Sequence, residues 1–196
     1  MKNKAIGITG GLASGKTTVA NYLARKYNLP ILDADIYARE AVATGSEILE
    51  KIVNHYGNSI LLADGSLDRP QLAEIIFTEP EQKKYLENLI HPYVRRKLQE
   101  DNSKISSGVR FLVVPLLFEA KMSDLVDEIW LVYCQSDKQV KRLQSRNQLS
   151  PQQAQQRIDG QWSLNTKKDL VHVLIENTKD LNYLYRQIDS LISEYL

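Results

Sequence analysis

Short apolar segments rich in β-branched residues alternate along this chain with longer segments whose apolar residues recur every three or four positions. The short segments have the length and composition of buried strands. We predict strands at Ala5–Thr9, Pro30–Asp33, Val109–Val114, Glu128–Tyr133 and His172–Ile175. Strands that alternate with helices favour an α/β fold in which helices cover a five-stranded parallel sheet in three layers.

The longer segments predict the covering helices. Val19, Ala20 and Leu23 share one face of a helix over Lys16–Tyr27, and Leu184, Ile188 and Leu191 do so in a final helix over Leu181–Tyr195. A further polar helix is predicted over Lys138–Arg146.

Residues 35–107 interrupt the alternation. They contain no convincing strand, and their periodicity predicts helices at Ile36–Ala43, Ser46–Tyr56, Arg69–Phe77 and Glu79–Asn102. A crossover between parallel strands needs far fewer residues. We therefore predict a single chain, 1–196, with a core of 1–34, 108–147 and 166–196 and a helical substrate-binding insertion at 35–107. The polar, glutamine-rich stretch 148–165 begins a helix at Ser150-Pro151 and is interpreted as a mobile lid.

The first strand is followed by Gly10-Gly-Leu-Ala-Ser-Gly-Lys-Thr17, which fits the pattern G-x-x-x-x-G-K-[ST]. Glycines let the backbone N–H groups wrap around an anion, and the N-terminus of the next helix faces the same anion. In such loops the lysine reaches the β- and γ-phosphates and the hydroxyl binds Mg²⁺. The pattern predicts a nucleoside triphosphate site with Lys16 at the phosphates and Thr17 as the Mg²⁺ ligand.

Two carboxylates follow the second strand, at Asp33 and Asp35. Residues two apart in an extended strand end project to one side, and ligands bind outside the carboxyl ends of parallel strands. Both side chains are therefore expected to face the phosphates, as a Mg²⁺ partner or as a general base. Asp35 could alternatively cap a helix that begins at Ile36.

Arginines near the predicted lid could neutralise charge that develops on a transferred phosphoryl group. Arg142 and Arg146 lie four apart on one helix face, and Arg157 follows in the lid. A solvated helix face is the alternative interpretation. The three histidines, His55, His91 and His172, have no metal-ligand spacing.

Composition limits the compartment and the partners. The net charge of +1 does not indicate binding to nucleic acid or to an anionic membrane surface. The single cysteine, Cys134, excludes an internal disulfide and is interpreted as a small buried residue in a reducing cytoplasm. No signal peptide is expected at the N-terminus, and the longest apolar run, Phe111 to Phe118, is too short to cross a bilayer.

Taken together, these motifs resemble the dephospho-coenzyme A kinase family of P-loop kinases. The resemblance covers nearly the whole chain and keeps the family's order and spacing. Besides residues 8–17, which contain the phosphate loop, the segments that resemble the family are 33–39 (Asp-Ala-Asp-Ile-Tyr-Ala-Arg), His91-Pro92, 114–119 (Val-Pro-Leu-Leu-Phe-Glu), 142–146 (Arg-Leu-Gln-Ser-Arg) and 157–161 (Arg-Ile-Asp-Gly-Gln).

The resemblance implies a P-loop kinase fold of five parallel strands with a helical coenzyme A domain and a lid. It also implies transfer of the ATP γ-phosphate to the ribose 3′-hydroxyl of dephospho-coenzyme A, with Mg²⁺. Asp33 then matches the proposed catalytic base, and Lys16 and Arg142 match catalytic cations. The implied ATP-binding residues are Gly11, Ala13, Ser14, Gly15, Lys16, Thr17, Thr18 and Asn177, and the implied acceptor-binding residues are Thr9, Asp35, Arg39, His91 and Leu117.

One segment departs from the family pattern. Where the family commonly has Ala-Asp-x-Val-Ile-Asp-Asn, this chain has Val171-His-Val-Leu-Ile-Glu-Asn177. No role of an aspartate can therefore be carried over to position 172, whereas Asn177 stays near the expected adenine edge.

Two other functions remain as alternatives. A kinase resembling shikimate kinase shares the loop and an aspartate pair after the second strand, but its crossover is shorter. A nucleotide-dependent switch would need an Asn-Lys-x-Asp guanine motif, and residues 177–180 (Asn-Thr-Lys-Asp) have its lysine displaced. We expect a cytoplasmic monomer that acts on a small molecule and binds neither nucleic acid nor membrane.

Overall fold

The computed structural model describes residues 3–196, except for the side chains of residues 77 and 78. Met1 and Lys2, which the predicted core includes, lie outside the described residues. The described chain divides into two compact units. One is formed by the chain up to Asp33 together with Gln99–Leu196, and the other by Ala34–Leu98.

A five-stranded parallel sheet organises the first unit, with strand order β2-β3-β1-β4-β5. Nearly every residue of β1 and β4 is buried, as expected when helices cover both faces of a parallel sheet. The predicted fold class is confirmed, and each strand lies within one residue of its predicted bounds. The strands are β1 Lys4–Gly10, β2 Ile31–Asp33, β3 Val109–Val113, β4 Glu128–Tyr133 and β5 Val173–Glu176.

Helices follow the predicted periodicity. Polar side chains fix several helix starts: Ser46, Asp68, Ser150, Ser163 and Asp180 each accept a hydrogen bond from a backbone N–H of the first turn. The helices are α1 Lys16–Tyr27, α2 Ala34–Ala41, α3 Glu47–Tyr56, α4 Arg69–Thr78, α5 Pro80–Lys104, α6 Ser136–Asn147, α7 Pro151–Asp159, α8 Leu164–Lys168 and α9 Leu181–Ile192. Along residues 3–196, none of these helices has the length and apolar content needed to span a bilayer.

Each unit has its own hydrophobic core. In the first unit, Trp130 and Phe111 pack edge to face with ring centroids 5.2 Å apart, among side chains of β1, α1 and α9. In the second unit, Ile52, Ile60 and Leu72 lie at the centre of a helical core. Apart from one isolated bridge between Leu61 and Leu67, the second unit is helical or irregular in its described residues.

Several predicted element bounds were wrong by one to three residues. The helix after β2 begins at Ala34 rather than Ile36, so no extended residue separates strand from helix. The final helix ends at Ile192 rather than Tyr195. The strand predicted from His172 begins at Val173, and His172 Nδ1 accepts a hydrogen bond from Ile129 N at 3.1 Å just before it.

At the amino-terminal end of β4, the buried carboxylate of Glu128 accepts hydrogen bonds from three side chains. Trp130 Nε1 and Tyr195 Oη donate to its Oε1 at 2.8 and 2.6 Å, and Lys4 Nζ donates to its Oε2. Burial alone would raise the pKa of Glu128, but these three hydrogen bonds lower it. The carboxylate thereby ties the C-terminal residues to β4.

Candidate active site at the carboxyl edge of the sheet

The phosphate loop joins the carboxyl end of β1 to the first turn of α1. Gly10, Ala13 and Gly15 have φ values of 155°, 55° and 106°, which glycine adopts more easily than other residues. Ala13 is the exception, and its left-handed conformation persists because the neighbouring residues hold the loop. The N–H groups of Thr18 and Val19 donate to Gly15 O, so α1 begins directly from the loop.

Lys16 folds its side chain back along the loop. Its Nζ donates to the carbonyl oxygens of Gly10 and Gly11, both at 2.9 Å. These bonds keep the ammonium beside the first two carbonyl groups of the loop.

Ser14 is fully buried, and its Oγ finds no hydrogen-bond partner among the described residues. A buried hydroxyl of this kind usually has a partner. An oxygen of a bound phosphate would supply one. The loop residues therefore fit a phosphorylated ligand, and Thr17 and Thr18 lie in the adjoining first turn of α1.

Three side chains from outside the loop donate to its consecutive carbonyl groups. Gln139 Nε2 donates to Leu12 O at 2.6 Å, and Asn177 Nδ2 donates to Ser14 O at 2.7 Å. Arg142 Nη1 donates to Ala13 O at 3.2 Å. The sequence patterns did not point to Gln139. The only available signal was a polar residue four positions before the buried Leu143, on the apolar face of α6.

Arg142 lies on α6 beside the loop, outside the stretch predicted as the lid. Its Nη2 is 3.4 Å from Asn177 O, and its Nη1 is 3.5 Å from Cys134 Sγ. Cys134 is buried, as predicted, and burial raises the pKa of its thiol in spite of the nearby Arg142 and Lys138 charges. Arg146, by contrast, is exposed and bonds to the adjacent Asn147.

Asp33 ends β2 on the same edge of the sheet as the loop. It is in register with Val113, which is in register with Ile8 of β1. Two strand spacings separate Asp33 from Ile8, which is about 10 Å. Asp35 lies in the first turn of α2, because the chain turns helical at Ala34. It therefore neither extends the strand nor caps the helix from outside.

Two of the predicted acceptor residues are buried in the first unit. Thr9 is inaccessible to solvent, and its Oγ1 donates to Pro115 O at 3.2 Å. Leu117 is also inaccessible and packs near Gly7 of β1. These contacts fix the turn that follows β3.

The other predicted acceptor residues, Asp35, Arg39 and His91, belong to the second unit. Arg39 is in the last turn of α2, and its carbonyl accepts a hydrogen bond from Arg69 Nη2 at 3.5 Å. Burial and the Arg39 charge lower the pKa of Arg69. His91 lies within α5, and burial lowers its pKa as well.

The stretch predicted as a lid is largely helical. Ser150 and Gln153 form a reciprocal capping box at the start of α7, and Ala154 of that helix is fully buried. After α7, Trp162 stacks on Phe118 with ring centroids 6.4 Å apart, although 47% of it remains exposed. The predicted end of the lid, residue 165, falls inside α8.

Lys167 of α8 forms a second contact between this region and the sheet, and it is fully buried. Its Nζ is 2.8 Å from Glu119 Oε1 and 3.2 Å from Pro115 O. Trp162 N donates to the same carboxylate oxygen at 3.1 Å. A buried ion pair therefore joins α8 to the turn after β3.

Comparison with known proteins identifies relatives along the whole chain. A family model described as Dephospho-CoA kinase matches residues 4–182. A dephospho-CoA kinase from Nostoc sp. is 50% identical over 189 residues, which is 96% of each chain. A solved structure from Thermus thermophilus superposes with a TM-score of 0.80 at 34% identity, covering 99% of this chain and 98% of that one. Dephospho-CoA kinase from Campylobacter jejuni superposes with a TM-score of 0.70 at 28% identity, covering 99% and 97%.

A more distant likeness extends to shikimate kinases. The enzyme from Acinetobacter baumannii superposes with a TM-score of 0.57 at 16% identity, covering 99% of this chain and 96% of that one. At that identity the likeness concerns the P-loop kinase fold alone. The family match over residues 4–182 decides between the two: this chain belongs to the dephospho-CoA kinase family.

Proposed function

We propose that this chain transfers the γ-phosphoryl group of ATP to the ribose 3′-hydroxyl of dephospho-coenzyme A, giving coenzyme A and ADP. The observation that carries the proposal is the family match over residues 4–182, and membership of that family implies the use of ATP. The geometry agrees with it, since a phosphate loop and a carboxylate share the carboxyl edge of one sheet.

The phosphate loop is proposed to bind the ATP phosphates. Backbone N–H groups of the loop and of the first turn of α1, at residues 11–13 and 15–17, are proposed as donors, and the Ser14 hydroxyl, which has no partner among the described residues, supplies one more. Lys16 supplies a positive charge next to the loop. Groups fixed in this way stabilise the charge on transferring phosphoryl oxygens without reorganising.

The proposed catalytic cation of α6 is Arg142, whose guanidinium lies against the carbonyls of the loop. Asn177 is proposed to border the adenine, and its amide also bonds to the loop. Both residues thus reach the nucleotide site from elements that follow β4 and β5.

Thr17 is proposed to hold Mg²⁺ together with the phosphates of the nucleotide. Among residues 3–196, no cluster of three or more acidic, histidine or cysteine side chains could hold a metal by itself. Mg²⁺ is usually bound through a few protein oxygens together with substrate phosphates and water. When bound, it would neutralise charge on the phosphoryl oxygens.

Asp33 is the proposed general base. A ribose hydroxyl is a weak nucleophile, and a carboxylate within hydrogen-bond reach can accept its proton as the bond to phosphorus forms. We expect Asp33→Asn to abolish transfer while ATP binding survives, and Asp35→Asn to cost less because Asp35 lies in α2. Transfer rates and ATP affinity are to be measured for both variants at several Mg²⁺ concentrations. Rescue of Asp33→Asn by excess Mg²⁺ would make the residue a metal ligand instead.

The second unit, residues 34–98, is proposed to bind the acceptor. Arg39 offers a positive charge for an acceptor phosphate, and Asp35 and His91 are proposed to contact the rest of the acceptor. Thr9, in β1, and Leu117, in the turn after β3, are the proposed acceptor residues of the first unit.

The deciding experiment measures ATP turnover with and without dephospho-coenzyme A, together with AMP and shikimate as alternative acceptors. We expect turnover with dephospho-coenzyme A only. Lys16→Ala should lower transfer by orders of magnitude, because a positioned cation contributes a few kcal/mol in such sites. Equal phosphorylation of shikimate would instead favour the shikimate-kinase alternative. We further propose a cytoplasmic monomer, which light scattering and cell fractionation would test.

A further inference from the structure

The phosphate loop is held from behind by side chains, and the closest of these bonds comes from a residue with no assigned role. Gln139 is 3% exposed and lies in α6, far along the chain from the loop. Its side-chain nitrogen is 2.6 Å from Leu12 O. A carbonyl oxygen only accepts, so the group facing it must be the donating NH₂ of the amide.

A bond to Leu12 O also fixes the next N–H group. The peptide unit is planar and trans, so the Leu12 C=O and the Ala13 N–H point in opposite directions. When Gln139 draws the carbonyl towards α6, the N–H is turned to the opposite side of the loop. Asn177 does the same for the Ser14–Gly15 peptide unit. The Ser14 N–H between them donates to Gly11 O at 3.3 Å, so the N–H groups aligned before any ligand arrives are those of Ala13 and Gly15.

The glycines of the motif provide the space for this arrangement. A Cβ on Gly11 would overlap Gln139 Nε2, and a Cβ on Gly15 would overlap Asn177 Nδ2. Leu164 Cγ is 3.4 Å from the same position at Gly11. A side chain at Gly11 or Gly15 would therefore displace the amide group that bonds to the loop.

We propose that Gln139 is a positioning residue that orients the Ala13 N–H towards the phosphates of the nucleotide. The proposal rests on the ATP site of the proposed function and deepens it. Arg142 contributes charge as well as geometry, whereas Gln139 is neutral and contributes geometry. Its loss should therefore weaken the binding of phosphates and leave the binding of adenosine unchanged.

Three variants test the proposal. Gln139→Met keeps the approximate size and removes the donor, and Gln139→Glu sets an acceptor against Leu12 O. Gln144→Glu is the matched control, since it adds the same charge to α6 at a position about 140° further around the helix. Calorimetry measures the affinities for ATP, ADP and adenosine, and steady-state assays measure KM for ATP and kcat. Thermal unfolding verifies that each variant is folded.

We expect Gln139→Met to bind ATP and ADP about five- to tenfold more weakly, because a buried carbonyl loses its partner. Gln139→Glu should bind ATP and ADP more weakly than Gln139→Met, and its KM for ATP should be higher. Adenosine affinity should stay within twofold in both, and Gln144→Glu should match the wild type. ATP affinity within twofold of wild type in a folded Gln139→Met protein would overturn the proposal. So would a parallel loss of adenosine affinity or the unfolding of both variants, since Gln139 would then be structural.

The outcome is separable from that of the proposed function. If the wild type binds ATP but does not phosphorylate dephospho-coenzyme A, the proposed function fails, and the three affinities still decide the role of Gln139. If the wild type phosphorylates dephospho-coenzyme A and Gln139→Met binds ATP normally, only the positioning role fails. If the wild type does not bind ATP, both are overturned.

Discussion

The buried ion pair between Lys167 and Glu119 should be a major source of stability for α8. The Lys167 side chain is fully buried, and 16% of the Glu119 side chain is exposed. Removing one partner of a buried pair leaves the other charge uncompensated and typically costs about 3–5 kcal/mol. For Lys167→Met we expect the lower end, about 3 kcal/mol, because Glu119 keeps the hydrogen bond from Trp162 N.

The opposite change should cost more. Glu119→Gln keeps an amide oxygen for Trp162 N and Lys167 Nζ, but it removes the negative charge that compensates the fully buried Lys167 ammonium. We expect Glu119→Gln to lower the free energy of unfolding by about 4–5 kcal/mol. In a chain of this length, each kcal/mol lowers Tm by about 2–4 °C. Lys167→Met should therefore lose about 6–12 °C, and the double variant should lose about 1–3 kcal/mol less than the sum of the single variants.

Urea unfolding followed by tryptophan fluorescence is a suitable assay. Trp130 and Trp162 are the two tryptophans, both belong to the first unit, and Trp162 adjoins the ion pair. Lys168→Met is the matched control, because Lys168 is the next residue and is exposed. A loss of less than 1 kcal/mol in Lys167→Met, or strictly additive losses in the double variant, would refute the reasoning.

Three further predictions concern single groups. Cys134 should react with iodoacetamide at pH 8 at least about tenfold more slowly in the folded than in the unfolded protein, because burial raises the pKa of its thiol. Burial lowers the pKa of His91, so its contribution to stability is present above the unfolded pKa and is lost as the pH falls; His91→Gln should flatten the decline in Tm between about pH 7 and 5. Arg142→Ala should lower kcat more than ATP affinity, and single-turnover rates compared with calorimetry would reveal equal losses if the residue only binds ATP.

The sequence by itself was sufficient for the parts of the fold that depend on local patterns. The bounds of α1 and β4 coincide with their predictions, and the phosphate loop lies between β1 and α1 as its motif requires. Periodicity and backbone preference act over neighbouring residues, so one segment carries the whole signal.

Local patterns predicted the wrong structure where the same residues are compatible with both a strand and a helix. Asp33-Ala34-Asp35 could continue a strand or start a helix, and the chain turns helical directly after Asp33. A separation of two residues then no longer sets both carboxylates on one side. In the predicted lid, Ser150-Pro151 predicted the start of a helix, but no local pattern predicted that Ala154 is buried.

The strand order, the residues behind the loop and the buried pair were decided by the tertiary structure alone. Gln139 and Asn177 bond to loop residues that are 127 and 163 positions away, and Lys167 meets Pro115 across 52 positions. In the sequence Gln139 and Lys167 are only polar residues of predicted or irregular segments, and the family resemblance assigned Asn177 to the adenine rather than to the carbonyl groups of the loop. The partner of each residue is set by the way the parallel strands order the elements between them, and that order follows from packing the whole chain rather than from any one segment.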